Sequence, residues 1–484
     1  MKQKSIKLNF IMNAILTMSS FIFPLITVPY VTRVLLDVGV GRVSFATSIV
    51  TYFMMFAQLG IPSYGIRVTA QARDNKEELS RITHELFLIS VIMTVISYIL
   101  LAIGIIAIPR LREEKTLMVV TSFMIILSTI GIEWLYKGLE QYTYITVRSI
   151  IFKAISVAAM FFLVRSEGDV VWYGAVTIIA SSASYVLNFI NARKYVYLHP
   201  VGNYNLKRHM KPVLVFFAMA CATTIYTNLD VVMLGFMKTN SEVGLYNIAV
   251  KVKTILVSVV TSLGTVLLPR ASYYVEHNMM EEFRVIARKA LNFVFIAATP
   301  LTLYFILYAR EGVVLLASDG FLGSVVPMQF IMPTLVFIGI TNILGIQILV
   351  PLGKEKIVLY SEIAGAVVDI VINAFLIPTY GATGAAIGTL VAEAVVLFVQ
   401  AFALRKVLKS AFSHISYWKI LIAMAAAAAA SIWVKLLNLS EFPALAISAV
   451  LFFAVYLLIL YITNEKMTRE IVTQMIKKIK KIKA

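Results

Sequence analysis

Cysteine is almost missing from this chain. The single Cys221 among 484 residues excludes a disulfide framework and any cysteine-based zinc site; set in an apolar stretch, it reads as core filler. Charge is scarce as well. Only 14% of residues are charged, against roughly 25% in an average soluble domain. With 60% hydrophobic residues and a mean hydropathy of +0.87, the chain carries more apolar surface than soluble cores, whose helices keep a wet face, can hide. The solvent is therefore lipid. Catalytic and nucleotide motifs are lacking too: there is no Walker A lysine, no glycine fingerprint after a strand and no His-Glu-x-x-His pair. Gly39-x-Gly41 lies between apolar spans and carries no such meaning. The chain is not expected to be an enzyme or to need a cofactor. Work against a gradient would draw on a coupling proton or sodium ion, the membrane potential or the solute's own gradient.

What is abundant is apolar runs. Stretches of about 20 residues, enough to cross roughly 30 Å of hydrocarbon, recur about fourteen times. They centre near Phe21, Phe53, Met93, Ile126, Ala158, Ile179, Thr224, Val257, Phe295, Ile338, Val368, Val395, Ala427 and Phe453. The first run, Leu8 to Thr32, is too long for a signal-peptide core and lacks a clear small-residue cleavage site. The net charge of +18, from 43 Lys and Arg against 25 Asp and Glu, is spread over short loops and one tail rather than a basic domain, which argues against nucleic acid. An even number of spans puts both termini on one side. Groups such as Arg67, Arg73, Lys76 and Arg81, then Arg193, Lys194, Lys207, Arg208 and Lys211, then Arg405, Lys406, Lys409 and Lys419 make that side cytoplasmic. The tail from Lys466 to Lys483 has an Ile/Lys pattern suited to anchoring on anionic lipid.

An internal echo runs through the chain. Val40-Gly41 through Ala46 opens the second span and Val243-Gly244 through Ala249 the eighth; Leu59-Gly60 and Leu263-Gly264 follow at matching depth. Tyr173-Gly174-Ala175 and Thr383-Gly384-Ala385 repeat the six-span offset. An even-numbered repeat keeps its orientation, the parallel-repeat plan of transporters that bind their solute between two lobes. The expected organisation is an all-α polytopic membrane protein: a six-helix lobe over residues 1–192, a basic linker over 193–212, a second six-helix lobe over 213–404, two extra spans over 405–462 and a basic tail over 463–484.

An ionisable residue at membrane depth costs at least about 2.5 kcal/mol on insertion scales, so each one is a candidate for function. They are Arg33, Glu133, Lys153, Asp230, Lys251, Lys253, Asp369 and Glu393. Lys153 is near a helix end and can snorkel, and Asp369 and Glu393 could serve as helix–helix contacts. Lys251 and Lys253 are two residues apart, about 200° around a helix, so Lys251 is placed at a cavity and Lys253 at its margin or at a lobe contact. Asp230, Glu133, Glu393 and Asp369 are the coupling or gating candidates. Asp230 is the acid nearest Lys251 in sequence, and such a pair could open on anion or proton binding or simply fix register. Pro24 and Pro29 bend or loosen the helix that carries Arg33. The Gly384 to Gly388 spacing reads as helix packing.

Four stretches resemble a known family. They are Pro29-Tyr30-Val31-Thr32-Arg33-Val34-Leu35 with Gly41 and Leu59-Gly60-Ile61; Glu133-Trp134-Leu135-Tyr136-Lys137-Gly138 to Tyr142, continuing to Val147-Arg148-Ser149; Leu229-Asp230 to Gly235 with Val243 to Tyr246, Lys251 and Leu263 to Arg270; and Ile377-Pro378 to Ala386 leading to Glu393. With these the chain resembles lipid-linked oligosaccharide flippases of the polysaccharide transporter family, within the multidrug/oligosaccharidyl-lipid/polysaccharide exporter superfamily. The resemblance implies two six-helix lobes around a V-shaped cavity, and alternating access carrying an undecaprenyl-diphosphate-linked oligosaccharide from the inner to the outer leaflet of a bacterial cytoplasmic membrane. It implies supply of capsule, O-antigen or related surface polysaccharide, with a polymerase and assembly proteins as partners beside membrane lipids. Arg33 and Lys251 stand where such a family would hold the diphosphate. The alternative reading is a proton- or sodium-coupled exporter of cationic drugs on the same scaffold.

Overall fold

The computed structural model describes residues 6–405, 417–470 and 473, and among these it is helical with no strand. In chain order the first helices are α1 Ile6–Gln58, α2 Ile61–Ala72, α3 Lys76–Ala107, α4 Pro109–Glu113, α5 Lys115–Gly131, α6 Glu133–Gly138, α7 Tyr142–Leu163, α8 Val170–Ile178, α9 Tyr185–Asn191 and α10 Lys207–Met237. They continue as α11 Asn240–Glu276, α12 Met280–Leu307, α13 Ala309–Leu316, α14 Val325–Ile331, α15 Thr334–Asn342, α16 Glu355–Ala403, α17 Tyr417–Ile432 and α18 Glu441–Ile462.

Ten helical stretches are long and apolar enough to cross a membrane, and a bent pair, Asp319–Ile331 with Thr334–Leu349, makes an eleventh. Two of the ten are long enough to cross twice, at 1.5 Å per residue: Ile11–Ala72 has 62 residues and Glu355–Ala403 has 49. Each is broken in the middle. Leu36 (φ 56, ψ −173) interrupts α1 and Gly381 (φ 53, ψ −128) interrupts α16. With the 17-residue α5, the described helices are compatible with about fourteen crossings.

Local sequence explains the ends. Asn75 caps α3 by accepting from the backbone N–H groups of Glu77 and Glu78, and those two acids favour the positive end of the helix. In α16 the halves fold back on one another across Gly381. A Cβ on Gly384 would lie 2.5 Å from the Leu376 carbonyl, and one on Gly388 2.1 Å from Asn373 Oδ1 and 3.1 Å from Asp369 Oδ1. The small-residue spacing is thus a packing device, as its sequence suggested.

The chain divides into two compact units, Met1–Gly244 and Leu245–Ala484. In the first, α1 packs on α3, α5, α7, α8 and α10. The helix α10 is held at both ends. At its start, Glu85 of α3 is fully buried and accepts the Asn205 N–H at 2.6 Å, the Arg208 guanidinium at 2.9 and 2.5 Å, and His209 Nε2 at 2.7 Å. His209 Nδ1 then accepts the Tyr64 hydroxyl at 2.8 Å, the tautomer that a carboxylate at Nε2 requires. At its far end, Gly235 lies under the Phe45 ring and its carbonyl accepts Arg110 Nε at 2.8 Å. In the second unit, α12, α17 and α18 share one apolar core that includes Leu291, Ala298, Ala423, Ala427, Phe452 and Tyr456.

Candidate functional site

Between the first half of α1, α7 and the π-helical turn Ile179–Ala183, the first unit has an open cavity of about 420 Å³. Its lining brings Glu133, Arg148 and Lys153 together with Ser20, Ser149, Ser181, Ser184 and Tyr185 among apolar side chains such as Leu16, Phe23 and Ile145. A second space of about 300 Å³, lined by Gln58, Ser128, Lys137 and Ser182 among others, lies on the other side of Glu133 and Tyr185. Glu133 is therefore in the wall between two cavities.

The local backbone sets this up. The helix α5 ends at Gly131, where Ile132 adopts a left-handed conformation (φ 35, ψ 40), and a Cβ at Gly131 would meet the Tyr185 ring at 2.7 Å. The short helix α6 then begins at Glu133, an acid at the positive end of a helix. Its carboxylate bonds Lys137 at 2.8 Å, one turn on, and Arg148 of α7 at 3.0 Å.

Arg148 is the telling residue. Its side chain is only 3% exposed, one amino group reaches Glu133, and Tyr185 and Tyr144 lie within cation–π range at 5.1 and 6.0 Å. Its Nε and second amino group are buried with no hydrogen-bond partner among the described residues. Buried N–H groups are nearly always satisfied, so two unmet donors on one guanidinium call for an occupant or a second state. Lys153, one and a half turns further along α7, donates to Ser19 and Ser20 of α1 at 2.9 and 3.0 Å. Those acceptors are neutral, which leaves its charge uncompensated.

Of the charges singled out from sequence, Glu133 and Lys153 share this cavity. Arg148 was legible only as part of a resemblance motif, because it sits in the polar turn Thr146-Val147-Arg148-Ser149 rather than alone in an apolar run. Arg33 does not line the cavity: it is exposed and its guanidinium donates to the Pro29 carbonyl at 2.6 Å, four residues back. Asp230 is buried in α10 of the first unit. Lys251 and Lys253 lie half-buried in α11, within the second unit. Asp369 and Glu393 are both buried, on opposite halves of α16. Asp369 lies with Asn373 where Gly388 of the other half leaves room.

The paired glycines of the repeat meet each other. A Cβ on Gly41 would lie 1.7 Å from the Asn240 carbonyl and 2.9 Å from the Gly244 nitrogen, and one on Gly244 2.1 Å from the Asp37 carbonyl. Only glycine permits this approach. Around it Ser241 bonds Asp37, and buried Glu114 takes Arg42 at 2.9 Å and Asn240 at 3.2 Å. The ends of the first, second, seventh and eighth predicted spans are thereby clasped together.

Residues 6–275, more than half of the chain, match the family described as polysaccharide biosynthesis protein. Among curated proteins, one from Escherichia coli (strain K12) named as an O-antigen transporter is 24% identical over 399 residues, covering 81% of this chain and 95% of that protein. One with the same name from Shigella dysenteriae is 26% identical over 388 residues, covering 79% and 96%. The solved structure of lipid II flippase MurJ in an inward closed conformation has a TM-score of 0.71 at 16% identity, covering 94% of this chain and 99% of that one. At that identity the likeness is one of fold.

Proposed function

Because the chain belongs to the polysaccharide biosynthesis protein family, we propose that it is a flippase that moves an undecaprenyl-diphosphate-linked oligosaccharide from the inner to the outer leaflet of the bacterial cytoplasmic membrane. The single observation that carries the substrate class is Arg148, buried with unmet donors on the wall of the open cavity. A diphosphate offers what this guanidinium lacks: several anionic oxygens that its planar donors can bond. Lys153 adds a second positive charge and the serines add neutral donors. Glu133, already holding Arg148 and Lys137, acts as the internal anion that the incoming phosphate displaces.

Alternating access between lobes 1–192 and 213–404 follows from this reading, with both termini cytoplasmic. The Gly41–Gly244 clasp then closes the outer side, and release outward requires Asp37–Ser241 and Glu114–Asn240 to part. Arg33 and Lys251 keep their proposed place as further diphosphate contacts along the path. Lys253 takes the cavity margin, and Asp230, Asp369 and Glu393 remain coupling or gating groups for a proton or sodium ion. An inside-negative potential favours outward movement of an anion by about 2.3 kcal/mol per net charge per 100 mV. A cavity with Arg148 and Lys153 against one Glu133 repels cations, which disfavours drug export.

The test is the lipid-linked saccharide pool in cells depleted of this protein, measured by mass spectrometry with a leaflet assay. Accumulation of one diphosphate-linked repeat on the cytoplasmic side is expected. An unchanged pool overturns the reading.

A further inference from the structure

A second charged cleft, of about 370 Å³, lies wholly within the second unit. It is bounded by the first turns of α12, the start of α17 and the segment that follows α18. Four cations line it, Arg288, Lys289, Lys419 and Lys466, with only two carboxylates, Glu465 and Glu470. One of those carboxylates is already spent. Glu465 is buried and accepts the Thr468 N–H at 2.7 Å, the Thr468 hydroxyl at 2.8 Å and Asn292 Nδ2 at 3.0 Å, so it caps the turn that opens the tail. Glu470 stands 3.7 Å from Lys289. Lys419 donates to the neutral Asn464 carbonyl at 3.0 Å. Among the described residues Arg288 Nε is buried and unpartnered, and neither Arg288 nor Lys466 forms an ion pair.

The cleft is thus a net cationic recess with donors to spare, and its depth is marked. It opens within a few residues of the ends of two spanning helices, and Trp418, beside Lys419, is 77% exposed. Exposed tryptophan next to lysine at a helix start is the pattern of the headgroup layer. We propose that this cleft binds a phosphate-bearing anion through Arg288, Lys419 and Lys466, and that membrane phospholipid supplies it. Such a site would tie α12, α17 and α18 to the bilayer through a specific headgroup, apart from the cavity around Arg148.

The experiment uses the purified full-length chain, stripped of lipid in detergent. Binding of dioleoylphosphatidylglycerol is followed by native mass spectrometry and thermal shift, beside parallel titrations with inorganic pyrophosphate and with dioleoylphosphatidylcholine. The expected result is retention of phosphatidylglycerol over phosphatidylcholine, weakened at least tenfold in Arg288→Gln/Lys466→Gln. Pyrophosphate binding with the same dependence, and none for the lipid, keeps the anion site but assigns it a soluble ligand. Equal binding by wild type and variant, or no binding of either probe, overturns the proposal. Lys466→Gln alone, at an exposed position, repeats the test should the double variant fail to fold.

Discussion

Two arrangements of opposite charges in the first unit, one around Glu85 and one around Arg148, differ in one respect. At the start of α10, every atom of the Glu85 carboxylate is used, by Asn205, Arg208 and His209, and His209 is in turn satisfied by Tyr64. In the α7 cavity, Arg148 spends one amino group on Glu133 and leaves its other donors unmet. A closed network rigidifies the fold, whereas an open one beside empty space keeps bonding capacity for something else. On the proposed function, the first arrangement serves structure and the second traffic. The closed network also explains why α10 groups with the first unit, since the basic stretch Lys207–Lys211 is stitched onto α3 rather than left as a free linker.

The largest effect should come from breaking the closed network. Glu85→Ala leaves buried His209 and the Asn205 N–H without their acceptor, while Arg208 keeps Glu78 at 2.8 Å; unmet buried donors cost about 1–3 kcal/mol each. Thermal unfolding in detergent should show a large drop in Tm, with transport falling only as folded protein is lost. A melting curve like wild type would mean that the network is dispensable and the comparison empty.

The open network should behave the other way. In Arg148→Ala, Glu133 still has Lys137 at 2.8 Å and is not orphaned, so stability should change far less than in Glu85→Ala. Transport should fall at least about tenfold, the equivalent of about 1.4 kcal/mol. Arg148→Lys restores charge but not the planar pair of donors, so partial rescue is expected. The checks are surface polysaccharide yield and the inner-leaflet lipid-linked pool, each scaled to the amount of folded protein. Equal losses of stability in Arg148→Ala and Glu85→Ala would make Arg148 a second structural pin.

How far the sequence carried this reading depends on the kind of force involved. Lipid imposes long apolar runs, so the spans and the packing at Gly384 and Gly388 were visible in composition and spacing. The cost of charge in lipid made Glu133 and Lys153 visible one at a time. Their meeting was not visible, because the left-handed turn at Ile132 and the fold of α7 onto α1 bring together residues that no periodicity links. Arg148 was hidden for a related reason: threonine, tyrosine and serine neighbours make it look like a wet helix end, and its burial emerges only when Tyr144 and Tyr185 close over it. The Gly41–Gly244 clasp shows the converse. Two matching motifs read as an echo of the repeat turn out to touch, because residues that open equivalent spans lie at equivalent depth.

The smallest expected effect lies at the end of the second unit, where Glu465 is a closed arrangement beside an open cleft. Burial works to raise its pKa, but the bonds from Thr468 and Asn292 outweigh that and hold the carboxyl below its ordinary value. A depressed carboxylate adds stability that is fully present above the unfolded-state pKa and is lost as pH falls through the lower folded-state value. Acidification below the ordinary carboxylate range should therefore loosen the segment after α18 ahead of the core formed by α12, α17 and α18. Glu465→Gln keeps the shape and one acceptor, and should abolish that step while costing about 1 kcal/mol or less at neutral pH. Hydrogen exchange across residues 463–470, followed against pH in wild type and variant, separates the outcomes. A step that persists in Glu465→Gln would rule out the cap of this turn as the source of the acid response.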